Sequence, residues 1–258
     1  MDYQTILVAE DGPVTVVTLN RPDALNALNR QMASELVDAL SVLAATESVR
    51  CVILTGSDKA FCAGADIKEM SGMSTADMIR EEHLRALWDK AGTFPKPIIA
   101  ALSGYTIGGG LELAMCCDII VASQGTKLGQ PEINIGIIPG GGGTQRLTRA
   151  VGKYRSMEMI LTGTSVTAEQ AEAAGLINRV VPVGQQLEEA KKMGHVIASK
   201  GPLALKLAKM AIRRAQETGL SDGLEYERQL FYALFATKDK EEGMKAFLEK
   251  RRPDFKGQ

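Results

Sequence analysis

The run Ile98-Ile99-Ala100-Ala101 is followed almost at once by Gly108-Gly109-Gly110 and then by Leu111-Glu112-Leu113-Ala114-Met115-Cys116. Because the first run is apolar at consecutive rather than alternate positions, it reads as an interior strand. The glycines supply a tight turn free of Cβ atoms, and the apolar stretch after them reads as a short buried helix. Strand, glycine turn and buried helix in direct succession place this part of the chain in an α/β body. The same succession puts Glu112 in the first turn of a helix that leaves a strand.

The first half of the chain repeats this alternation. Val14 to Leu19 is β-branched and stops at Asn20-Arg21-Pro22. Asn29 is placed to cap a helix running to about Ala45, with Met32, Leu36, Leu40 and Leu43 on one stripe. Cys51 to Thr55 returns as a strand that Gly56 breaks, Phe61 to Asp66 reads as a loop, and a Met-rich, charged pattern passes through a helix from Thr75 to Lys90 to Pro95-Lys96-Pro97. Ile119 to Ala122 is another interior strand. After Lys153 strand signals fade, leaving Leu176 to Val181 as an extended piece behind the capping box Thr167-Ala168-Glu169-Gln170 and the helix stop Gly175. Three helical patterns follow Gly201-Pro202: Leu203 to Gln216, Asp222 to Ala236, and Lys238 to Lys250. The expected organisation is an α/β core over 1-199 and a helical C-terminal region over 200-258.

Composition excludes several classes of function. With 258 residues, 45% hydrophobic content and a net charge of -1, the chain buries a large core and carries no broad field for nucleic acid or an anionic membrane. Its apolar runs fall short of the roughly 20 residues that span a bilayer. The start Met1-Asp2-Tyr3-Gln4 lacks the basic and apolar features of a secretory signal, so a cytoplasmic location is expected. Cys51, Cys62, Cys116 and Cys117 show no C-x-x-C spacing and are expected as reduced thiols. His83 and His195 lie far apart in polar, helix-like contexts, so neither a metal site nor a histidine triad is expected.

Two carboxylates stand beside glycine-rich turns. A helix that starts at Gly108-Gly109-Gly110 aims unsatisfied N–H groups outward and can hold an oxyanion, although the same glycines also suit a turn packed tightly on the sheet. Glu112 is flanked by bulky apolar residues that would enclose it and raise its pKa; the alternative is an acid stabilised by the helix dipole. Glu132, in Gly129-Gln130-Pro131-Glu132, is either an exposed loop acid or one met by a polar partner. If both share a pocket they cannot ionise together, and one then donates a proton while the other accepts. Gly140-Gly141-Gly142-Gly143-Thr144-Gln145 lacks the lysine of a phosphate loop, and no G-x-G-x-x-G occurs, which disfavours nucleotide hydrolysis and dinucleotide binding.

Ala60-Phe61-Cys62-Ala63-Gly64-Ala65-Asp66-Ile67-Lys68-Glu69-Met70, Gly104-Tyr105-Thr106-Ile107-Gly108-Gly109-Gly110-Leu111-Glu112 and Gly129-Gln130-Pro131-Glu132 resemble the crotonase (enoyl-CoA hydratase/isomerase) family, and among its members the short-chain enoyl-CoA hydratases. The resemblance runs from Asn20-Arg21-Pro22 to Phe247-Leu248-Glu249-Lys250-Arg251-Arg252. It implies a spiral of ββα repeats, with C-terminal helices that build a homotrimer or a hexamer of two trimers. It also implies an acyl-CoA thioester substrate in fatty-acid β-oxidation or related metabolism, with CoA as part of the substrate and no separate cofactor or metal. The thioester oxygen would be held by the N–H groups of Ala65 and Gly109. Glu112 would activate water for the β-carbon, and Glu132 would deliver a proton to the α-carbon. Lys59, Ala63, Ile67 and Lys68 match positions near the adenine and phosphates of CoA, Asp66 belongs to the same loop, and Phe247 and Lys250 match tail positions that reach CoA from a neighbouring subunit.

Three other readings stay open: a Δ3-Δ2 enoyl-CoA isomerase, an RNA-binding family member, and an inactive assembly subunit. Near-neutral charge and the lack of a basic run between Thr75 and Lys90 count against RNA. Retention of both acids and both glycine turns counts against the inactive subunit. Met70, Met73, Met78 and Trp88 suit either core packing or an adaptable wall for an acyl chain.

Overall fold

The computed structural model describes residues 2–258. Strands β1 (Ile6–Asp11) and β2 (Val14–Leu19) form an antiparallel hairpin. Strand β1, for which sequence supplied no expectation, is an edge strand with Leu7, Ala9 and Glu10 turned to solvent. Helix α1 (Arg30–Ala45) starts where the Asn29 side chain accepts the Met32 N–H at 3.0 Å, and it buries the stripe Met32, Leu36, Leu40 and Leu43. Strands β3 (Cys51–Thr55) and β4 (Ala60–Cys62) follow. The segment expected as a loop from Phe61 therefore starts inside a short buried strand, three residues being too few to set a pattern.

The expected continuous helix from Thr75 is broken. Helices α2 (Ile67–Met70), α3 (Thr75–Arg80) and α4 (Glu82–Gly92) are separate. Ser74 and Asp77 form a capping box that starts α3, and Glu81 is extended, with its side chain accepting the His83 N–H at 3.1 Å to start α4. Arg30 pairs with the same Glu81 carboxylate and holds the break in place.

The chain then repeats one unit. Strands β5 (Ile98–Leu102) and β6 (Tyr105–Ile107) lead into α5 (Gly109–Cys116), and β7 (Ile119–Ser123) and β8 (Lys127–Gly129) lead through a 3-10 turn at Glu132–Ile135 into α6 (Gly143–Val151). Next come α7 (Lys153–Thr162), β9 (Ser165–Thr167), α8 (Ala168–Ala173), β10 (Arg179–Val181) and α9 (Gln186–Ala198). Only Arg179–Val181 of the extended piece expected from Leu176 pairs as a strand, beside β7. Helices α10 (Pro202–Arg214), α11 (Leu220–Leu234) and α12 (Lys238–Leu248) complete the chain.

One sheet runs β1-β2-β3-β5-β7-β10 and the other β4-β6-β8-β9. The pairs β3/β4, β5/β6 and β7/β8 each give one strand to each sheet before the chain leaves into helix, which makes the ββα spiral. Beyond β2 the larger sheet is parallel, as crossover connections require. Its interior strands are apolar at consecutive positions because both faces are covered. Val52, Leu54 and Ala100 face the core that contains α1, whereas Cys51, Ile53, Ile99 and Val121 face Ala190 of α9.

Helix α10 is joined to this body through Lys209, whose Nζ donates to Asp118 Oδ2 at 2.7 Å and to the Lys96 carbonyl at 2.8 Å. Asp118 also accepts the Ile98 N–H at 2.8 Å. The C-terminal end is held by Asp239, which accepts the N–H groups of Lys256 and Gly257 at 2.7 and 2.9 Å. In contrast, α11 buries no residue, and Leu220, Phe231, Tyr232 and Phe235 stand exposed. His83 and His195 lie at the surface, and the four cysteines are unpaired thiols. Among the described residues no helix is long and apolar enough to cross a membrane.

Candidate active site

The turn between β6 and α5 brings the first carboxylate into the protein. Gly108 has φ 55 and ψ -127, and a Cβ there would lie 2.9 Å from Glu132 Oε1. Only glycine both adopts this backbone and leaves room for the carboxylate beside it. At Gly110 the constraint is close approach, since a Cβ would fall 2.2 Å from the Cys62 carbonyl oxygen. Two residues later, in the first turn of α5, Glu112 is 3% exposed.

Glu112 is seated by the second glycine run. The N–H groups of Gly141 and Gly143 donate to its Oε1 at 2.8 and 2.7 Å. Arg146 of α6 fixes this turn by donating from Nη1 to the Gly141 carbonyl at 2.8 Å. Both glycine N–H bonds go to Oε1, and none is made to Oε2 among the described residues. Burial raises the Glu112 pKa above the ordinary glutamate value, opposed by the Gly143 and Gly141 N–H groups and by the Arg146 charge. The result is an enclosed carboxylate with one oxygen fixed and the other free, suited to accepting a proton from water.

Glu132 opens the 3-10 turn after β8 and is half-buried. Its pKa is pushed up to about 7, first by burial and further by the Glu112 charge, against its own backbone N–H. It therefore holds a proton near neutrality while sensing the ionisation of Glu112. Gln130, wholly buried, is the polar partner of this carboxylate. With the amide nitrogen turned toward Glu132, it donates to Oε1 at 2.9 Å and Oε2 at 3.1 Å.

Two bare amides complete the arrangement. Leu28 N–H bonds the Gly64 carbonyl and Asp66 N–H bonds the Leu28 carbonyl, which leaves the N–H of Ala65 between them without a partner among the described residues. Gly109 opens α5, and its N–H is one of the first-turn donors with no intrahelical acceptor. The two meet across a narrow gap: a Cβ on Gly109 would lie 3.4 Å from the Ala65 nitrogen. Asp66 is engaged in the loop itself, pairing with Arg21 at 3.0 Å and capping α2 through the Lys68 N–H at 3.2 Å.

Glu112, Glu132, Ala65 and Gly109 all line one cavity of about 1420 Å³. Ala63 and Ile67 line it too, whereas the exposed side chains of Lys59 and Lys68 do not. Phe247 and Lys250, at the end of α12 and just beyond, are exposed and are not part of the lining. Its apolar walls include Met70, Met73, Met78, Leu84 and Trp88. Trp88 packs on the bare α-carbon of Gly141, where a Cβ would fall 1.0 Å from its Nε1.

The model for enoyl-CoA hydratase/isomerase matches residues 9–258. The chain belongs to the enoyl-CoA hydratase/isomerase family. It is 49% identical over 255 residues to a probable enoyl-CoA hydratase of Mycobacterium bovis, covering 99% of both chains. It is 46% identical to the 2,3-dehydroadipyl-CoA hydratase of Escherichia coli, covering 98% of both. A Geobacillus kaustophilus structure described as an enoyl-CoA hydratase subunit is similar at a TM-score of 0.96 and 43% identity, covering 100% of both chains.

The α/β spiral that the motifs implied is thus the fold of this family member. Trp88, expected in the core or the wall of the site, lines the cavity, whereas the contacts of Gln130 and Arg146 and the seating of Glu112 by Gly141 and Gly143 were not foreseen. The glycine run was visible, but its partner was not, because the contact spans 31 residues.

Proposed function

We propose that this chain is an enoyl-CoA hydratase, which reversibly adds water across the double bond of a 2-enoyl-CoA to give a 3-hydroxyacyl-CoA. The observation that carries the reading is the convergence, in one cavity, of two free amides with two carboxylates in different environments. Ala65 and Gly109 N–H groups bind the thioester oxygen and draw electron density from the double bond, which makes the β-carbon electrophilic. Each such donor is worth about 3–4 kcal/mol in the transition state. Glu112 takes a proton from water through its free oxygen as the water oxygen attacks the β-carbon. Glu132, protonated near neutrality, passes its proton to the α-carbon as the enolate collapses. Reversal of these steps dehydrates the hydroxyacyl thioester.

Ala63 and Ile67 border the nucleotide side of the cavity in this reading, with Lys59 and Lys68 meeting phosphate as hydrated point charges. The helical region 200-258 serves assembly into a homotrimer or a hexamer of two trimers, which accounts for the exposed Phe231 and Tyr232 of α11 and Phe235 just after it, and brings the partner's tail, with its own copies of Phe247 and Lys250, to the CoA. The catalyst works in the cytoplasm. Incubation with crotonyl-CoA tests the function: loss of the conjugated-thioester absorbance and formation of 3-hydroxybutyryl-CoA are expected. An unchanged spectrum at stoichiometric enzyme would overturn the assignment.

A further inference from the structure

The Ala65 donor is held by a turn that precedes α1 in the chain. Leu25 and Asn26 both have positive φ, 49 and 58, a conformation that non-glycine residues keep only where the surroundings enforce it. Here Asn26 supplies the enforcement. It is wholly buried, its Nδ2 donates to the carbonyls of Ala60 and Phe61 at 2.9 and 3.2 Å, and its Oδ1 accepts the Arg21 N–H at 2.8 Å. The Ala63 N–H then bonds the Leu25 carbonyl at 3.0 Å, and Leu28 brackets Ala65 through its bonds to Gly64 and Asp66 at 2.7 and 2.9 Å.

Arg21 closes this turn onto the loop with its side chain. Its Nη1 donates to the Ala27 carbonyl, and its Nη2 pairs with Asp66 Oδ2 at 3.0 Å, with both side chains largely buried. Asp66 is the residue after Ala65, so its carboxylate lies within about one Debye length, roughly 8 Å, of an oxygen held by the Ala65 N–H. Negative charge there opposes the negative charge that grows on that oxygen. Arg21 is the only cation paired with Asp66 among the described residues. Its field reaches the inside of the loop. Burial pushes the Cys62 thiol up to about 12, and the Gly64 backbone, the Arg21 charge and the Leu28 backbone oppose that rise.

We propose that Arg21 is a positioning residue for the oxyanion site: it cancels the Asp66 charge beside Ala65 and fixes the turn that aims the Ala65 N–H. A donor next to an uncancelled carboxylate stabilises the enolate less. The neutral thioester oxygen of the bound substrate is less sensitive than the enolate to that charge, so the loss falls on turnover rather than on binding. Arg21 does not line the cavity, and it acts only through Asp66 and the Ala27 carbonyl.

The proposal rests on the hydratase reading, and its test separates the two. 4-Dimethylaminocinnamoyl-CoA absorbs at longer wavelength the more its thioester carbonyl is polarised, so its shift on binding reads the oxyanion site with neither glutamate taking part. Arg21→Gln keeps a donor for the Ala27 carbonyl and removes the charge. The shift then narrows and kcat for crotonyl-CoA falls about 10-fold, while the Kd of butyryl-CoA stays within a factor of about three. Arg21→Gln combined with Asp66→Asn removes both charges and restores most of the shift and of kcat. Asp66→Asn alone keeps the cap on α2, leaves Arg21 uncancelled and widens the shift. A double variant no better than Arg21→Gln would overturn the proposal and leave the pair a scaffold. A shift that narrows in Asp66→Asn would overturn it as well, and this decides the matter should Arg21→Gln not fold. A wild-type protein that shifts the chromophore but hydrates no crotonyl-CoA would instead sink the hydratase reading.

Discussion

The N–H of Gly143 donates to Glu112 Oε1 at 2.7 Å, joining the N-terminus of one helix to a side chain in the first turn of another. The Gly141 N–H reaches the same oxygen at 2.8 Å, so a glycine run that would suit an anionic ligand is occupied by the protein's own carboxylate. This explains how a glutamate that is 3% exposed remains usable as a base: two backbone donors offset part of the cost of burying its charge.

Glu112→Gln keeps a carbonyl oxygen for both N–H groups and removes only the basicity. Turnover of crotonyl-CoA is expected to fall by at least about 100-fold. Calorimetric binding of a saturated acyl-CoA, which needs no base, stays within a factor of about three of wild type.

The activity profile follows from the two raised pKa values. Hydration falls as pH rises through about 7, where Glu132 loses its proton. Its acid limb lies above the ordinary glutamate value of 4.5, because burial raises Glu112 as well. Stability has its own sign. Glu132 binds its proton more tightly folded than unfolded, so its contribution is most favourable below 4.5 and is lost as pH rises toward about 7. Glu132→Gln removes this dependence, and urea titrations at pH 5 and pH 8 then show a smaller difference for the variant than for wild type.

Much of the fold was legible in the sequence. Asn29, Thr167 and the consecutive apolar runs acted locally, and each element they signalled is present. The break at Glu81 was not legible, because Arg30 holds it from across the fold. Nor was the partner of Glu132: Gln130 stands in the same motif, but its place below Gly108 depends on β6 and β8 lying side by side. Local chemistry reads out of sequence, whereas seats built from two distant turns do not.

Gly109→Pro tests the oxyanion donor. Gly109 is the first residue of α5, a position that accepts proline, so the change removes the N–H with little effect on the helix. The account predicts a loss of about 100- to 1000-fold in kcat. Gly110→Ala instead drives a methyl group into the Cys62 carbonyl and lowers the thermal midpoint.

Lys209→Met tests how α10 is fastened. Burial lowers the Lys209 pKa, opposed by the charge of Asp118, and the variant leaves the Lys96 carbonyl without its donor. A loss of about 1–3 kcal/mol in unfolding free energy is expected. Protease cleavage begins in the 200-258 region, while kcat of the intact protein is retained.

The central claim is that Glu112 and Glu132 serve one thioester, and crotonyl-CoA turnover in the two single glutamine variants and the double variant tests it most directly. Residues that act as a unit are not additive: the double variant is predicted to lose scarcely more than the worse single variant. Losses that multiply, or turnover that survives both substitutions, would contradict it.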